Sequence, residues 1–344
     1  MTEDTIIAKR KTDHLRINLK EDVVSNVNVG FSSIHFKHDS LSNINLKDVD
    51  ISLGFLGKQM DAPILISSMT GGARSAEEFN RLFASAAQKY KIALGVGSQR
   101  GMIQHPELES SFRVRQWAPD ALIFGNLGLV QLNYGFGLEE CLKAVESIEA
   151  DGLIFHLNPL QEALQPEGDT NFEGLLPKLE KICENIGVPV IAKEVGYGLS
   201  FQVAKRLVSA GVAVIDIAGA GGTSWSEVER YRLSDPSMRE TAAKFRDWGI
   251  PTVPGLIALR KANLGVPIIA SGGLLTGIDL AKSIALGASL GGYARAFLLA
   301  AANGEEQLYG KIDSVIRELK ICMQMVGVKK LDQLTSAFLE FMPG

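Results

Sequence analysis

The chain has 344 residues, 46% hydrophobic and 22% charged, and carries a net charge of −4. This is an ordinary globular composition, with no overall basic field to hold nucleic acid or an anionic membrane, so an anionic ligand has to be caught by a local group of Lys and Arg. No apolar run reaches the length of a membrane span, and the charged N-terminus lacks the apolar core of a signal peptide, which makes a cytosolic protein the expectation.

The first charged stretch, "KRKTDHLRI", brings together Lys9, Arg10, Lys11, His14 and Arg16. On charge alone it is either a solvated basic tail or a lid over an anion. The weakly alternating segment that follows, up to about residue 60, predicts short strands and loops closing one end of a fold. Eight short runs rich in Ile, Val, Leu and Ala come next: "PILISS", "IALGVG", "ALIFGN", "GLIFHL", "VPVIAK", "VAVIDIAG", "VPIIASGG" and "ASLGGYA". Continuous apolar runs of this length suit strands buried on both faces of a parallel sheet. Between them lie amphipathic helical patterns such as "SAEEFNRLFASAAQKY" and "GIDLAKSIALGA". Eight β-then-α units close a (β/α)8 barrel. An open doubly wound sheet is the rival, but its polar residues would gather at one dominant Gly-rich turn. Here they are spread over nearly all the strand ends. The expectation is therefore one α/β domain over residues 1–344: a TIM barrel with an N-terminal extension over 1–60 and an elaborated loop, Thr223 to Pro254, after the sixth strand. Cys141, Cys183 and Cys322 are too few and too scattered for a disulfide framework or a zinc site, and sit in helical patterns as buried thiols.

In a barrel of this kind the chemistry sits at the C-terminal strand ends. The first end, "SSMTGG", offers small residues and glycines that let a flat ligand approach the backbone, or simply close a tight loop. The second offers Ser98, Gln99 and Arg100, and a guanidinium there can grip a phosphate. Asn126 at the third can read the edge of a ring or cap a helix. The fourth empties into "HLNPLQEALQPEGDTNF", where His156 and Asn158 alternate toward the barrel mouth. Glu162, beside a phosphate-binding group, is a candidate Mg2+ ligand, because that ion takes one or two carboxylates plus substrate phosphates. Lys193 at the fifth end needs an anionic partner to stay charged over the mouth. Asp216 at the sixth reads as inward and structural, and the glycines up to Thr223 can wrap a phosphate or ring. "SGGL" and "GGYARAF" after strands seven and eight suit the usual phosphate site of this fold.

Taken together, "RKTDH", "SSMTGG", "GVGSQR", "GNLG", "HLNPLQEALQPEGDTNF", "KEVGYG", "GAGGTSW" and "SGGLLTGIDLAKSIALGASL" resemble the type 2, flavin-dependent isopentenyl-diphosphate delta-isomerase family over nearly the whole chain. The joint presence of "LNPLQEALQPEGD" and "GAGGTSW" is the most specific part. The resemblance implies interconversion of isopentenyl and dimethylallyl diphosphate with reduced FMN, Mg2+ and NADPH as reductant, in a homotetramer or octamer. It also implies that Arg10, Lys11, Ser98, Gln99, Arg100 and Gln161 contact the substrate, and that Glu162 holds the Mg2+. Ser68, Met69, Thr70, Ser98, Asn126, Lys193 and Thr223 would line the flavin, whose phosphate falls to Gly272, Gly273, Leu274, Tyr293 and Ala294. His156, Asn158, Gln161 and Lys193 are the candidate catalytic groups. Gln161, with His156 or a water, would relay a proton, and Lys193 would favour an anionic reduced ring.

Two rivals remain at this level. An FMN oxidoreductase of hydroxy-acid type would need a His base near the seventh strand end, where "SGGL" has none. A non-catalytic flavin-binding barrel leaves the Gln161–Glu162 pair and the basic N-terminus without a task.

Overall fold

The computed structural model describes residues 3–69 and 74–342, with side chains for 10–69 and 77–342. The eight apolar runs are the strands β1 (Ile64–Ile66), β2 (Ala93–Gly95), β3 (Ile123–Gly128), β4 (Gly152–Leu157), β5 (Val190–Glu194), β6 (Val214–Asp216), β7 (Ile268–Ser271) and β8 (Leu290–Tyr293). They pair in parallel and close into a barrel in the order β7-β8-β1-β2-β3-β4-β5-β6. The physical cause is burial on both faces. Ile64, Leu65 and Ile66 are all fully buried, each contributing about 1.5–3 kcal/mol on leaving water. The register places His156 opposite Lys193 and Lys193 opposite Asp216, so three chemical groups share one row near the strand ends.

The intervening helices cover the barrel. The one after β7, Gly277–Ala285, starts at a capping box. Thr276 Oγ1 accepts from the Asp279 N–H at 3.1 Å, while the Asp279 carboxylate accepts from the N–H groups of Thr276 and Leu275 at 2.9 and 3.0 Å. This box fixes the end of the loop that carries Gly272–Leu275.

The short strands expected in the extension are present. Ile34–Phe36 pairs antiparallel with Leu339–Phe341, and Leu53–Phe55 forms a hairpin with Lys58–Met60. The basic stretch is part of a helix, Glu3–Lys20. The elaborated loop expected after β6 carries two helices, Trp225–Arg232 and Pro236–Ala243. The second has Asp235 as its cap, accepting from Ser237 N at 2.9 Å, with Pro236 in the first turn. The first presents Trp225, Val228 and Tyr231 to Ile17 and Val23, which docks the N-terminal helix onto it. Among the described residues no helix is long and apolar enough to cross a membrane.

Candidate active site

The C-terminal mouth of the barrel opens into a cavity of about 350 Å3. Ser68 and Met69 line it after β1, Ser98 and Arg100 after β2, and Asn126 from β3. His156, Asn158, Gln161 and Glu162 reach it from β4 and the short helix Pro159–Leu164, and Lys193 from β5. Thr223, Gly272, Gly273, Leu274 and Ala294 supply the remaining wall, and Arg10, Lys11 and His14 cover it from the N-terminal helix.

Several expected positions fall elsewhere. Thr70, with Gly71 and Gly72, lies outside the described residues. Gln99 is fully buried and turned away from the cavity: its amide donates to Ala144 O and accepts from Asn126 N, both at 2.8 Å. It therefore splints β3 rather than touching a ligand. The Tyr293 side chain is also turned into the core. It stacks on Phe297 at 4.7 Å and donates to Thr276 O at 2.8 Å, so it props the capping box behind the Gly272–Leu275 loop. Arg16 points outward, 48% exposed, toward Asp13 and Glu21, and the side chain of Lys9 is not among those described.

Arg10, Lys11 and Arg100 converge at one end of the cavity. Burial, then the charges of Arg10 and Arg100, push Lys11 down to about 7. Arg10 is lowered in the same way, by burial first and then by Arg100. Arg100 bonds one carboxylate, Asp169. Three cationic side chains brought together in a buried cavity form a site for a multiply charged anion.

Beside them sits a network of amides and carboxylates. Glu162 is nearly buried. One of its oxygens accepts from Asp169 N at 2.7 Å and from Gln165 Nε2, and the other accepts from Asn158 Nδ2 at 2.8 Å. Gln161 donates from Nε2 to Glu229 Oε1 at 3.0 Å. The same oxygen accepts from His14 Nε2 at 2.9 Å, and Arg232 holds the other. Burial would raise Glu229, but the bonds and charges of His14, Arg232 and Gln161 outweigh it and bring it down to about 2. His14 itself is lowered, by burial first, with the bond and charge of Glu229 pulling the other way.

His156 faces Asn126 Oδ1 through Nδ1 at 2.8 Å. Asn126 Nδ2 donates to Val96 O at 3.1 Å, which fixes the amide and hence the tautomer: the proton is on Nδ1. Burial, with the charges of Lys11, Lys193 and Arg10, drives His156 down to about 3, which favours Nε2 as an acceptor. Lys193 donates to Glu194 O at 2.8 Å and lies 4.0 Å from Asp216 Oδ2. Asp216 is fully buried, accepts from Ser271 Oγ at 2.5 Å, and is raised by that burial against the pull of Lys193.

The opposite wall is backbone. A Cβ on Gly272 would meet Gly219 O at 2.1 Å, and one on Gly222 would meet Gly273 N at 2.6 Å. The loops after β6 and β7 therefore interlock with no room for side chains. Among the described residues, five buried polar atoms of cavity-lining side chains have no partner: Ser67 Oγ, Ser68 Oγ, Arg100 Nε, Gln131 Oε1 and Asn158 Oδ1. Each unpaired buried group costs about 1–3 kcal/mol, so their gathering in one cavity marks it as a site built to be filled.

Glu229 and Gln131 were not singled out in the sequence, though both carried signals. Ser224 and Glu227 have the spacing of a helix start, which would have placed Glu229 on a helix with Trp225 and Val228. Gln131 is the only polar residue in the run "LGLVQL". The three cysteines lie on covering helices away from the cavity, and burial pushes the thiols of Cys141, Cys183 and Cys322 up to about 12, 11 and 11.

Residues 161–341 match the family of FMN-dependent dehydrogenases. Solved structures with the same fold include a soluble mutant of the membrane-associated (S)-mandelate dehydrogenase from Pseudomonas putida, 17% identical, with a TM-score of 0.66 over 98% of this chain and 97% of that one. A mutant flavocytochrome b2 with benzoylformate gives a TM-score of 0.69 at 18% identity, over 98% of this chain and 85% of the other. Much nearer in sequence are isopentenyl-diphosphate delta-isomerases. The protein of that name from Nostoc sp. is 48% identical over 326 residues, 94% of this chain and 93% of the relative. Those from Rickettsia peacockii and Synechococcus sp. are 48% and 50% identical, over 98% and 92% of both chains. This chain belongs to the FMN-dependent isopentenyl-diphosphate delta-isomerase family.

Proposed function

We propose that the protein interconverts isopentenyl and dimethylallyl diphosphate by a 1,3-allylic proton shift, in isoprenoid biosynthesis, using reduced FMN and Mg2+. The observation that carries the reading is the convergence of Arg10, Lys11 and Arg100 on the cavity that also holds the Gln161–Glu162 pair. A diphosphate supplies the charge those cations lack, and a five-carbon olefin needs no polar partner.

The residues present fit the cofactor. Interlocked glycines of the β6 and β7 loops leave bare backbone for a phosphate, and the unpaired hydroxyls of Ser67 and Ser68 await polar edges. Ser98, Asn126, Lys193, Thr223 and Met69 complete that wall, with Gly272, Gly273, Leu274 and Ala294 at the phosphate end. When bound, reduced FMN supplies an electron-rich ring and an exchangeable proton. Lys193 places a positive charge at the cavity wall, where it would stabilise an anionic ring.

The chain's own residues then do three things. The cations clamp the diphosphate and so hold the alkene in one orientation, which can lower the barrier by several kcal/mol. Gln161, pinned by Glu229, holds its amide still at the cavity surface, where with His156 or a water it would relay a proton, taking one up for each it gives away. His156 Nε2, which burial and the neighbouring cations keep from protonating, would serve as an acceptor. Asn158 orients Glu162 for Mg2+. Among the described residues no three His, Cys, Asp or Glu side chains form a ready metal site. Glu162 is one carboxylate held in place by N–H donors, with the unpaired oxygens of Asn158 and Gln131 in the same cavity, and it would suit a hard ion that draws its other ligands from substrate phosphate and water.

The same reading includes NADPH as reductant, a cytosolic location, and a homotetramer or octamer. A hydroxy-acid oxidation would need a His base after β7, where the chain has Ser271, Gly272, Gly273 and Leu274. The test is substitution at Glu162. Glu162→Ala should raise the Mg2+ concentration needed for turnover sharply, and the same Mg2+ dependence as wild type would rule out its role.

A further inference from the structure

Two of the unpaired atoms in the cavity are carbonyl oxygens on amides whose orientation is fixed. Gln131 is 3% exposed, and its Nε2 donates to Asp169 Oδ2 at 2.9 Å, which leaves Oε1 buried and without a partner among the described residues. Asn158, also 3% exposed, donates from Nδ2 to Glu162 Oε1 at 2.8 Å and toward Gln161 Oε1 at 3.2 Å, leaving Oδ1 in the same condition. Flipping either amide would set its oxygen against a carboxylate oxygen, so neither can relieve itself by rotation.

Both oxygens belong to the anion end of the cavity. Asp169, which holds the Gln131 amide, also holds Arg100, and its backbone N–H holds Glu162 Oε2 at 2.7 Å. Unpaired acceptors require a donor. A diphosphate has none at neutral pH beyond an occasional proton, and a hydrocarbon tail has none at all. The waters of a hydrated divalent cation are strong donors, and Mg2+ parts with them reluctantly. Groups that bind the waters of a metal ion are commonly as decisive for affinity as some ligands.

We infer that Gln131, together with Asn158, binds the water shell of the divalent cation on Glu162, making Gln131 a positioning residue for the metal–diphosphate unit. This rests on the reading that Glu162 holds such an ion. Gln131 thereby ties three groups into one frame: its nitrogen steadies the carboxylate that orients Arg100, and its oxygen steadies the ion. The frame also favours an ion that keeps its waters over one that sheds them for protein oxygens.

The experiment uses the FMN-loaded protein with Mn2+ as the paramagnetic probe and inorganic pyrophosphate as the anion. Free Mn2+ is read by electron paramagnetic resonance, and pyrophosphate binding without metal is measured in parallel by calorimetry. Gln131→Leu should weaken Mn2+ binding in the presence of pyrophosphate by about tenfold or more, the range seen when such outer partners are lost. It should change metal-free pyrophosphate binding much less. Gln131→Glu keeps an oxygen facing the ion but sets its second oxygen against Asp169 Oδ2, where Nε2 donated at 2.9 Å, so it should recover only part of the Mn2+ affinity lost in Gln131→Leu. Wild-type Mn2+ affinity in Gln131→Leu, alongside a large loss in Glu162→Gln, would overturn this inference and leave the Glu162 assignment standing. If wild-type protein bound no Mn2+ with pyrophosphate, the Glu162 reading would fail and this one with it. Direct ligation by Gln131 would appear as an extra Mn2+-bound water in the Leu variant, and that too would overturn the outer-shell role.

Discussion

His14 Nε2 lies 2.9 Å from Glu229 Oε1, which joins the N-terminal helix to the first helix after β6 across the mouth of the barrel. The carboxylate is fully buried and also carries Gln161 and Arg232. Removing it would leave Arg232 with Glu167 as its remaining carboxylate partner, at 2.6 Å, and release both the lid and the amide. Glu229→Ala should cost about 3–5 kcal/mol in urea unfolding, as expected for breaking a buried pair from one side. Turnover should fall further than the stability loss explains, and Glu229→Gln should recover more of the stability than of the rate.

On the proposed reading Gln161, held by that bond, acts on the proton rather than in the anion clamp. Gln161→Leu should therefore cut turnover by about 10²–10⁴, the usual scale for a lost proton-transfer group. Inorganic pyrophosphate should bind almost as before. Equal losses in both measurements would place Gln161 in the clamp instead.

Lys11, pushed down to about 7, makes anion binding depend on pH in a definite direction. Below that value the ammonium is present in the free protein. Above it the free protein is largely neutral at Lys11, and a bound diphosphate must draw a proton back. Affinity for pyrophosphate should fall as pH rises through 7, by no more than about tenfold per unit from this one group. Calorimetry in buffers of different ionisation enthalpy should show proton uptake near pH 8. Lys11→Met should lose that uptake, after the anion's own protonation is accounted for by comparison between the two proteins.

The glycine interlock predicts a cofactor phenotype. In Gly222→Ala the new Cβ would meet Gly273 N at 2.6 Å, and in Gly272→Ala it would meet Gly219 O at 2.1 Å on a backbone with φ of +96°. Both variants should purify with far less yellow colour per protein, read as the ratio of absorbance near 450 nm to that at 280 nm. Gly310→Ala, on a helix with nothing within 4 Å of the new Cβ, should keep its flavin.

The barrel was legible because eight runs such as "VPVIAK" are buried on both faces, which leaves an unbroken apolar signature. The strand ends could be read for the same reason, since His156, Lys193 and Arg100 each interrupt or terminate such a run. Side-chain direction was less legible. Gln99 stands between two cavity residues, Ser98 and Arg100, yet turns outward to serve Asn126 N and Ala144 O, a choice made by long-range partners. Tyr293 follows the same logic, through Phe297 and Thr276. The N-terminal helix has little apolar periodicity of its own, and it docks through Ile17 onto a helix more than 200 residues away in the chain. Glu229 was missed because the segment after β6 reads as a loop when its helix-start spacing is overlooked.

The central claim is that the cavity holds a diphosphate-bearing olefin beside reduced FMN, with the chain's cations and the Gln161 amide directing a proton shift. It is tested most directly by supplying isopentenyl diphosphate and Mg2+ anaerobically to protein whose flavin is either oxidised or reduced by NADPH, and following dimethylallyl diphosphate by deuterium incorporation. Product should form only with the reduced flavin. Equal turnover by the oxidised or the flavin-free protein would contradict the account.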